Sequence, residues 1–259
     1  MTPPEVDVAV LGPVQIHGAA LPFGRSAARE LVVYLALHRQ GARNDTWAEA
    51  LWPTRPVSPS TVHSTASDAR RSLGRGSDGV EHLPRGGRLL RLGDSVGTDV
   101  ERFAALASGS DPRGWRDALG LVRGAPFDGL RLSDWTIFDG THAQLESMVV
   151  LTALKGAGHA LEQGDGAEAE WMIRQALPVS PYDERLYRVL LRAAEVQGNR
   201  VRLRSTLTEL LSMVAESEDS SGGGGTPHPS STVHPRTRGL YLALARGPAG
   251  AARGWPTRL

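Results

Sequence analysis

The sequence predicts two unlike halves: an α+β winged helix-turn-helix domain followed by an all-α tetratricopeptide-like helical repeat domain. Three observations carry this. Residues 1–97 read as short strands, three short helices and an arginine-rich hairpin, the layout of a winged helix. From Thr98 onward nothing has strand character and the apolar spacing is helical. Within that back half the Gly164-Asp165 and Gly198-Asn199 turns lie 34 residues apart, and apolar positions keep the same offset: Ala157 with Leu191, Ala160 with Ala194, Ile173 with Leu207, Ala176 with Leu210. That is the period of stacked helix-turn-helix pairs, which grip proteins or peptides on concave surfaces.

Taken in order, Val6 to Leu11 and Val14 to Ile16 alternate around Gly12-Pro13 and predict strands. Ser26 is placed to cap a helix over 27–39, with Leu31, Tyr34, Leu35 and His38 at helical spacing and Gly41 beyond its end. A second helix starts at Asn44 or Asp45, carries Trp47, Ala48, Leu51 and Trp52, and stops at Pro53. Pro59 opens the third, which runs to about Leu73 before Gly74. Strand-like pieces at Val80–Leu83 and Arg88–Leu92 flank Pro84-Arg85-Gly86-Gly87 and predict a hairpin. Further helices are expected over 99–107, 113–123, 140–162, 166–178, 182–197, 200–215 and 236–245. The stretch 217–235 is Ser, Gly, Pro and His, with four glycines at 222–225, and predicts a flexible linker. The domains are thus a winged helix over 1–97, a repeat domain over 98–216, the linker over 217–235 and a C-terminal helix over 236–246.

Residues 1–92 hold eleven arginines against eight acids, whereas the whole chain carries a net charge of only +1. The front is therefore the basic half, as a nucleic-acid reader would be. Lys155 is the single lysine among 29 basic residues. No cysteine is present, so disulfides, thiol catalysis and Cys-ligated zinc are excluded. Met1 to Glu5 has neither a basic region nor an apolar core, and the longest apolar run, Leu31 to Leu37, is too short to span a bilayer. These features predict a cytoplasmic protein without membrane insertion.

Plotted at about 100° per residue, the third helix puts Val62, Ala66, Ala69 and Leu73 on one stripe. The opposite face carries Ser60, Ser64, Ser67, Asp68, Arg71 and Arg75, flanked by Thr61 and Thr65. Small hydroxyls with arginines allow a helix to lie deep in a major groove and to bond bases and phosphates. The expected contacts to double-stranded DNA are Ser60, Thr61, Ser64, Thr65, Asp68 and Arg71, with Arg85 and Arg88 from the hairpin. No stretch matches the phosphate-binding G-x-x-x-x-G-K-[S/T] loop, and no Gly-x-Ser-x-Gly elbow occurs. The pairs His142/Glu146 and His159/Gln163 lack a second histidine at metal-ligand spacing. Neither enzyme activity nor a metal or other cofactor is expected.

The run Thr61-Val62-His63-Ser64-Thr65-Ala66-Ser67-Asp68-Ala69-Arg70-Arg71-Ser72-Leu73-Gly74 resembles the recognition helix of OmpR-type winged-helix domains, whose tail is an Arg-rich "RLRRALG". The wider chain resembles the Streptomyces antibiotic regulatory proteins and their bacterial transcriptional activator domain. Val10-Leu11-Gly12-Pro13-Val14 is similar to their opening strand, residues 28–38 to their first helix and Glu49-Ala50-Leu51-Trp52-Pro53 to their "ALW" motif. Asp99 to Phe103 is similar to the entry of the activator domain, Arg123-Gly124-Ala125-Pro126-Phe127 to its "WRGPPL" segment and Pro235 to Tyr241 to its closing "PETRALY". Two positions depart: Asp68 stands where response-regulator relatives often place a base-contacting Arg, and Gly87-Arg88 where the wing usually has Gly-Tyr. A carboxylate at Asp68 can accept from cytosine but repels phosphate. The resemblance implies a transcriptional activator that binds promoter DNA and recruits RNA polymerase, or another protein, through its helical repeats, and it leaves room for a homodimer. The alternative is a protein-interaction module with a non-DNA-binding winged helix, a cytoplasmic signalling partner of a membrane-associated system.

Overall fold

Alternating apolar residues build a small sheet at the front. The computed structural model describes residues 4–85, 89–130, 134–219 and 233–246. Strand β1 (Val6–Ala9) pairs antiparallel with β2 (Gln15–His17) and parallel with β3 (Val96–Thr98), in the order β2-β1-β3. Val6 and Val8 are fully buried on its inner side. β3 differs from expectation, because Val96-Gly97-Thr98 is too short to show an alternation.

Helix α1 (Ser26–Leu37) buries Leu31, Val32 and Leu35. Its N-cap is Arg25 rather than Ser26, with no side-chain cap. Helix α2 (Asn44–Leu51) buries Trp47 and Leu51, and Asn44 Oδ1 accepts from the Trp47 indole N–H at 3.2 Å. Helix α3 (Pro59–Leu73) begins where Ser58 caps the Thr61 N–H, and ends at Gly74, whose φ of 79° suits the left-handed region open to glycine.

Among the described residues the two segments of the expected hairpin are joined by Gly93 N–H donating to His82 O at 2.8 Å, while their isolated bridges run elsewhere, Arg75 with Glu81 and Ala42 with Leu90. The first closes over Gly76 to Gly79, where Asp78 Oδ1 accepts from Val80 N–H at 2.8 Å and Gly79 takes φ 79°. Asp-Gly is the stronger turn signal and captures the strand-like residues 80–83. The second tethers Leu90 to the α1–α2 connection. The turn at Gly86 and Gly87, with Arg88, lies outside the described residues.

Helices α4 (Asp99–Ala107), α5 (Pro112–Leu119), α6 (Asp134–Phe138), α7 (Thr141–Glu162), α8 (Gly166–Ala176), α9 (Glu184–Val196), α10 (Arg200–Asp219) and α11 (Pro235–Arg246) follow. α5 stops short of the expected 123, and the five-residue α6 was not expected. α10 runs into the expected linker as far as Asp219, and Val233 is buried before α11 begins at Pro235. The rest of the linker, 220–232, lies outside the described residues.

The chain forms two compact units: 1–109 with 121–148, and 110–120 with 149–259. The first unit therefore continues past residue 97, and its reasons are specific. Asp99, 2% exposed, accepts from the Val10 N–H and the Leu11 N–H, each at 2.9 Å, and Arg123 lies 3.4 Å from the same carboxylate. Arg102 clamps Asp7 through two bonds of 2.6 and 2.9 Å. Arg123 N–H donates to Leu11 O, Phe127 N–H to Val10 O, and Val14 N–H to Asp128 O. Gly12, at φ 143°, permits this return: a Cβ there would sit 2.8 Å from Arg123 Cβ. Phe127 itself takes φ 64°, a strained value for a non-glycine residue.

In the second unit the 34-residue offset holds to the level of single hydrogen bonds. Gly164 and Gly198 take φ 76° and 62°, and Asp165 N–H donates to Ala160 O as Asn199 N–H does to Ala194 O, both at 2.9 Å. Asp165 then caps the Glu168 N–H and Asn199 the Arg202 N–H, again at 2.9 Å. All eight echoed apolar residues are buried. α11 closes the stack: Tyr241 packs with Leu191, Ala194, Leu203 and Leu207. Glu184 accepts from His234 N–H and from the Thr237 hydroxyl, the latter at 2.6 Å, so it caps this helix from a distance.

Candidate nucleic-acid interface

α3 is positioned by four buried residues, Thr65, Ala69, Ser72 and Leu73, with Val62 and Ala66 half-buried beside them. Leu21 N–H donates to Ser72 O, and Ser72 Oγ donates to Pro22 O at 3.3 Å, so small hydroxyls serve as packing groups. The inward direction is thus rotated toward Thr65 relative to the stripe expected from hydropathy. Thr65, 2% exposed, is corrected from a DNA contact to a core residue.

The outward face carries exposed Ser60, His63 and Arg71, with Ser64 and Ser67 half-buried among them. Ser60 Oγ lies 2.8 Å from Ser58 Oγ, Ser64 Oγ donates to Thr61 O at 3.0 Å, and Thr61 Oγ1 lies 3.0 Å from Ser58 Oγ. These hydroxyls hold the first turns and retain lone pairs for a further partner. Thr61 is half-buried at the edge of the face. Asp68 also sits at its edge, held between Arg71 Nη1 at 3.1 Å and Arg25 Nε at 3.4 Å. Its charge is offset locally, while the Arg71 side chain stays 67% exposed. His63 is exposed with no side-chain partner among the described residues. Sequence reasoning passed over it by looking for hydroxyls and arginines, although its place next to Ser67 on the helical wheel puts it at the border of the outward face.

Beside α3 a second group forms on one carboxylate. Glu81 lies 3.7 Å from Arg70, 3.3 Å from Arg75 and 3.8 Å from Arg85. Arg70 also donates to Leu83 O at 2.9 Å, and Arg75 to Gly79 O at 2.8 Å. Burial pushes the Arg70 pKa down, Glu81 pulls it back and nearby Arg85 opposes it, although guanidinium remains charged throughout. Three cations share this one anion, with Glu5 and Asp78 in the adjoining turn at Ser77 and Val80, and the Arg85 side chain is 76% exposed. Arg85 thus lies beside Glu81 just before the expected turn, whereas Arg88 lies outside the described residues.

Trp47 is fully buried, and Trp52 is half-buried with its ring 6.2 Å from that of Trp47. Trp52 lines an open groove of about 550 Å³ between α2, the 53–57 loop and the start of α3. Among the described residues no group of three His, Asp or Glu side chains is gathered as a metal site, and no helix is long and apolar enough to cross a membrane.

No protein-family model matches the chain, and no curated protein matches it. Its fold is similar to that in the solved structure of Mycobacterium tuberculosis EmbR in complex with a low-affinity phosphopeptide, at 23% identity and a TM-score of 0.58. The match covers 94% of this chain and 65% of EmbR, so the chain spans about two thirds of that protein. At this identity the likeness bears on the fold: an α+β front followed by a helical domain.

Proposed function

We propose that the protein is a DNA-binding transcriptional regulator, with the winged helix of its front reading duplex DNA and its helical repeats recruiting a protein partner such as RNA polymerase. The observation that carries the reading is the pairing of an outward α3 face bearing small polar side chains with the exposed arginines Arg71, Arg75 and Arg85 beside it. Ser60, Ser64 and Ser67 are slim enough to approach base edges, His63 adds an imidazole that can bond a base or phosphate, and Thr61 borders them. Arg71, Arg75 and Arg85 supply phosphate contacts, and Arg88 is the further contact the sequence suggests. Asp68 acts by orienting Arg71 and Arg25, and takes a cytosine amine only where Arg71 swings away.

Recruitment through the repeats is supported by apolar side chains left exposed there. Tyr182, Val196 and Val201 are 57%, 45% and 77% exposed around the start of α9 and the α9–α10 turn. Val196 and Val201, at the α9–α10 turn, and Tyr182, at the other end of α9, are apolar side chains a protein partner could cover.

The test is selection of the full-length chain against a randomised duplex library. Enrichment of a recurrent motif, with affinity falling steeply between low and physiological salt, is the expected result. A library that emerges unenriched, from a folded protein, would favour the interaction-module reading instead.

A further inference from the structure

The groove beside Trp52 shares only His63 with the DNA-reading face proposed above, and it has the size and lining of a ligand site. Its volume of about 550 Å³ falls within the range of small-molecule pockets. Trp52, Pro53, Pro56, Pro59 and Val62 line it with rigid rings and a β-branched side chain, which cannot collapse into the space. Such flat, stiff walls favour a planar aromatic body.

The rim decides the polarity. Asp45 is already engaged by Arg43 through bonds of 3.1 and 3.0 Å, and Asn44 by the Trp47 indole. Arg55 and His63 have no side-chain partner among the described residues, and neither has Glu49. A permanent guanidinium and an imidazole stand against one free carboxylate. Arg55 is suited to bidentate pairing with a carboxylate, and His63 to a second bond. Glu49 remains for a hydroxyl or amine on the same molecule.

We propose that this groove binds a small aromatic carboxylate, its ring against Trp52 and the prolines and its acid group toward Arg55 and His63. The site stands whether or not the protein reads DNA. An occupant touches Val62 and His63, so it meets the helix whose outward face includes His63.

The experiment uses the full-length chain, 1-naphthylacetate as probe and its neutral counterpart 1-naphthylmethanol. Proton–nitrogen spectra should show saturable shifts centred on the Trp52 indole N–H. Arg55→Ala should weaken naphthylacetate by about tenfold while leaving naphthylmethanol unchanged, because only the acid group uses the guanidinium. Ala48→Trp, which fills the groove, should abolish both, with a thermal melt to check folding. Absence of saturable shifts at millimolar probe would overturn the proposal. So would an equal loss of both probes in Arg55→Ala, which does not depend on the filled variant folding.

Discussion

The two units reach their folds by different routes. In the repeat unit each turn copies its neighbour 34 residues away, down to matched caps at Asp165 and Asn199. Its stability is a sum of local terms and nearest-neighbour interfaces. In the front unit the decisive contacts are distant in sequence: Asp99 reaches back 89 residues to Val10, and Arg102 reaches 95 to Asp7. There the chain has to return before the contact rewards it. Local repetition tolerates damage by degrees, whereas a single long-range clasp fails as a whole.

The clasp should therefore give the largest effect. Asp99→Ala leaves two buried N–H groups unsatisfied and takes one partner from Arg123, which keeps Pro13 O, for an expected loss of roughly 2–4 kcal/mol confined to the front unit. Chemical denaturation followed by hydrogen exchange would check it; equal loss of protection in α8 and α9 would erase the contrast between the units. Burial also pushes the Asp99 carboxyl pKa up, against the pull of the Val10 and Leu11 N–H groups and Arg123. The folded state then holds this proton more tightly than the unfolded one. Its contribution is greatest below the ordinary aspartate range and declines as pH rises through the raised value. The stability gap between the wild type and Asp99→Asn should narrow over the same rise in pH, and a gap that widens would refute the burial argument.

Next comes the repeat core. Leu207→Ala opens a cavity against Leu191 and Tyr241, with an expected cost of about 2–4 kcal/mol and a broadened transition in the second unit. The smallest effects are the paired caps. Asp165→Ala and Asn199→Ala should each cost about 1 kcal/mol, and by similar amounts, because the two turns are the same structure twice. Thermal melts that separate them widely would mean the echo is only one of sequence.

The same contrast explains how much was legible beforehand. The repeats were readable because a period of 34 aligns four pairs of buried residues between Ala157 and Leu210. α3 was readable at both ends, from Pro59 and Gly74, which are local signals. Its inward direction was not, because Thr65 and Ser72 are polar residues used as packing groups, and hydropathy drew the stripe through Val62 and Ala66. β3 and the Ala42–Leu90 bridge escaped because pairing partners, not the residues themselves, make them extended. The arginine group on Glu81 escaped for a related reason: a shared carboxylate is a property of the folded turn at Gly76 to Gly79.

The central claim is that the outward face of α3 reads DNA, and Arg71 tests it most directly. It is 67% exposed and its partner Asp68 keeps Arg25 when Arg71 is removed, so Arg71→Ala should leave the thermal melt within about 0.5 kcal/mol of wild type. Fluorescence titration on the selected duplex should show a loss of roughly 1–3 kcal/mol in binding, with a shallower salt dependence. An unchanged melt with unchanged DNA affinity and salt slope would contradict the account and leave the front as an interaction module.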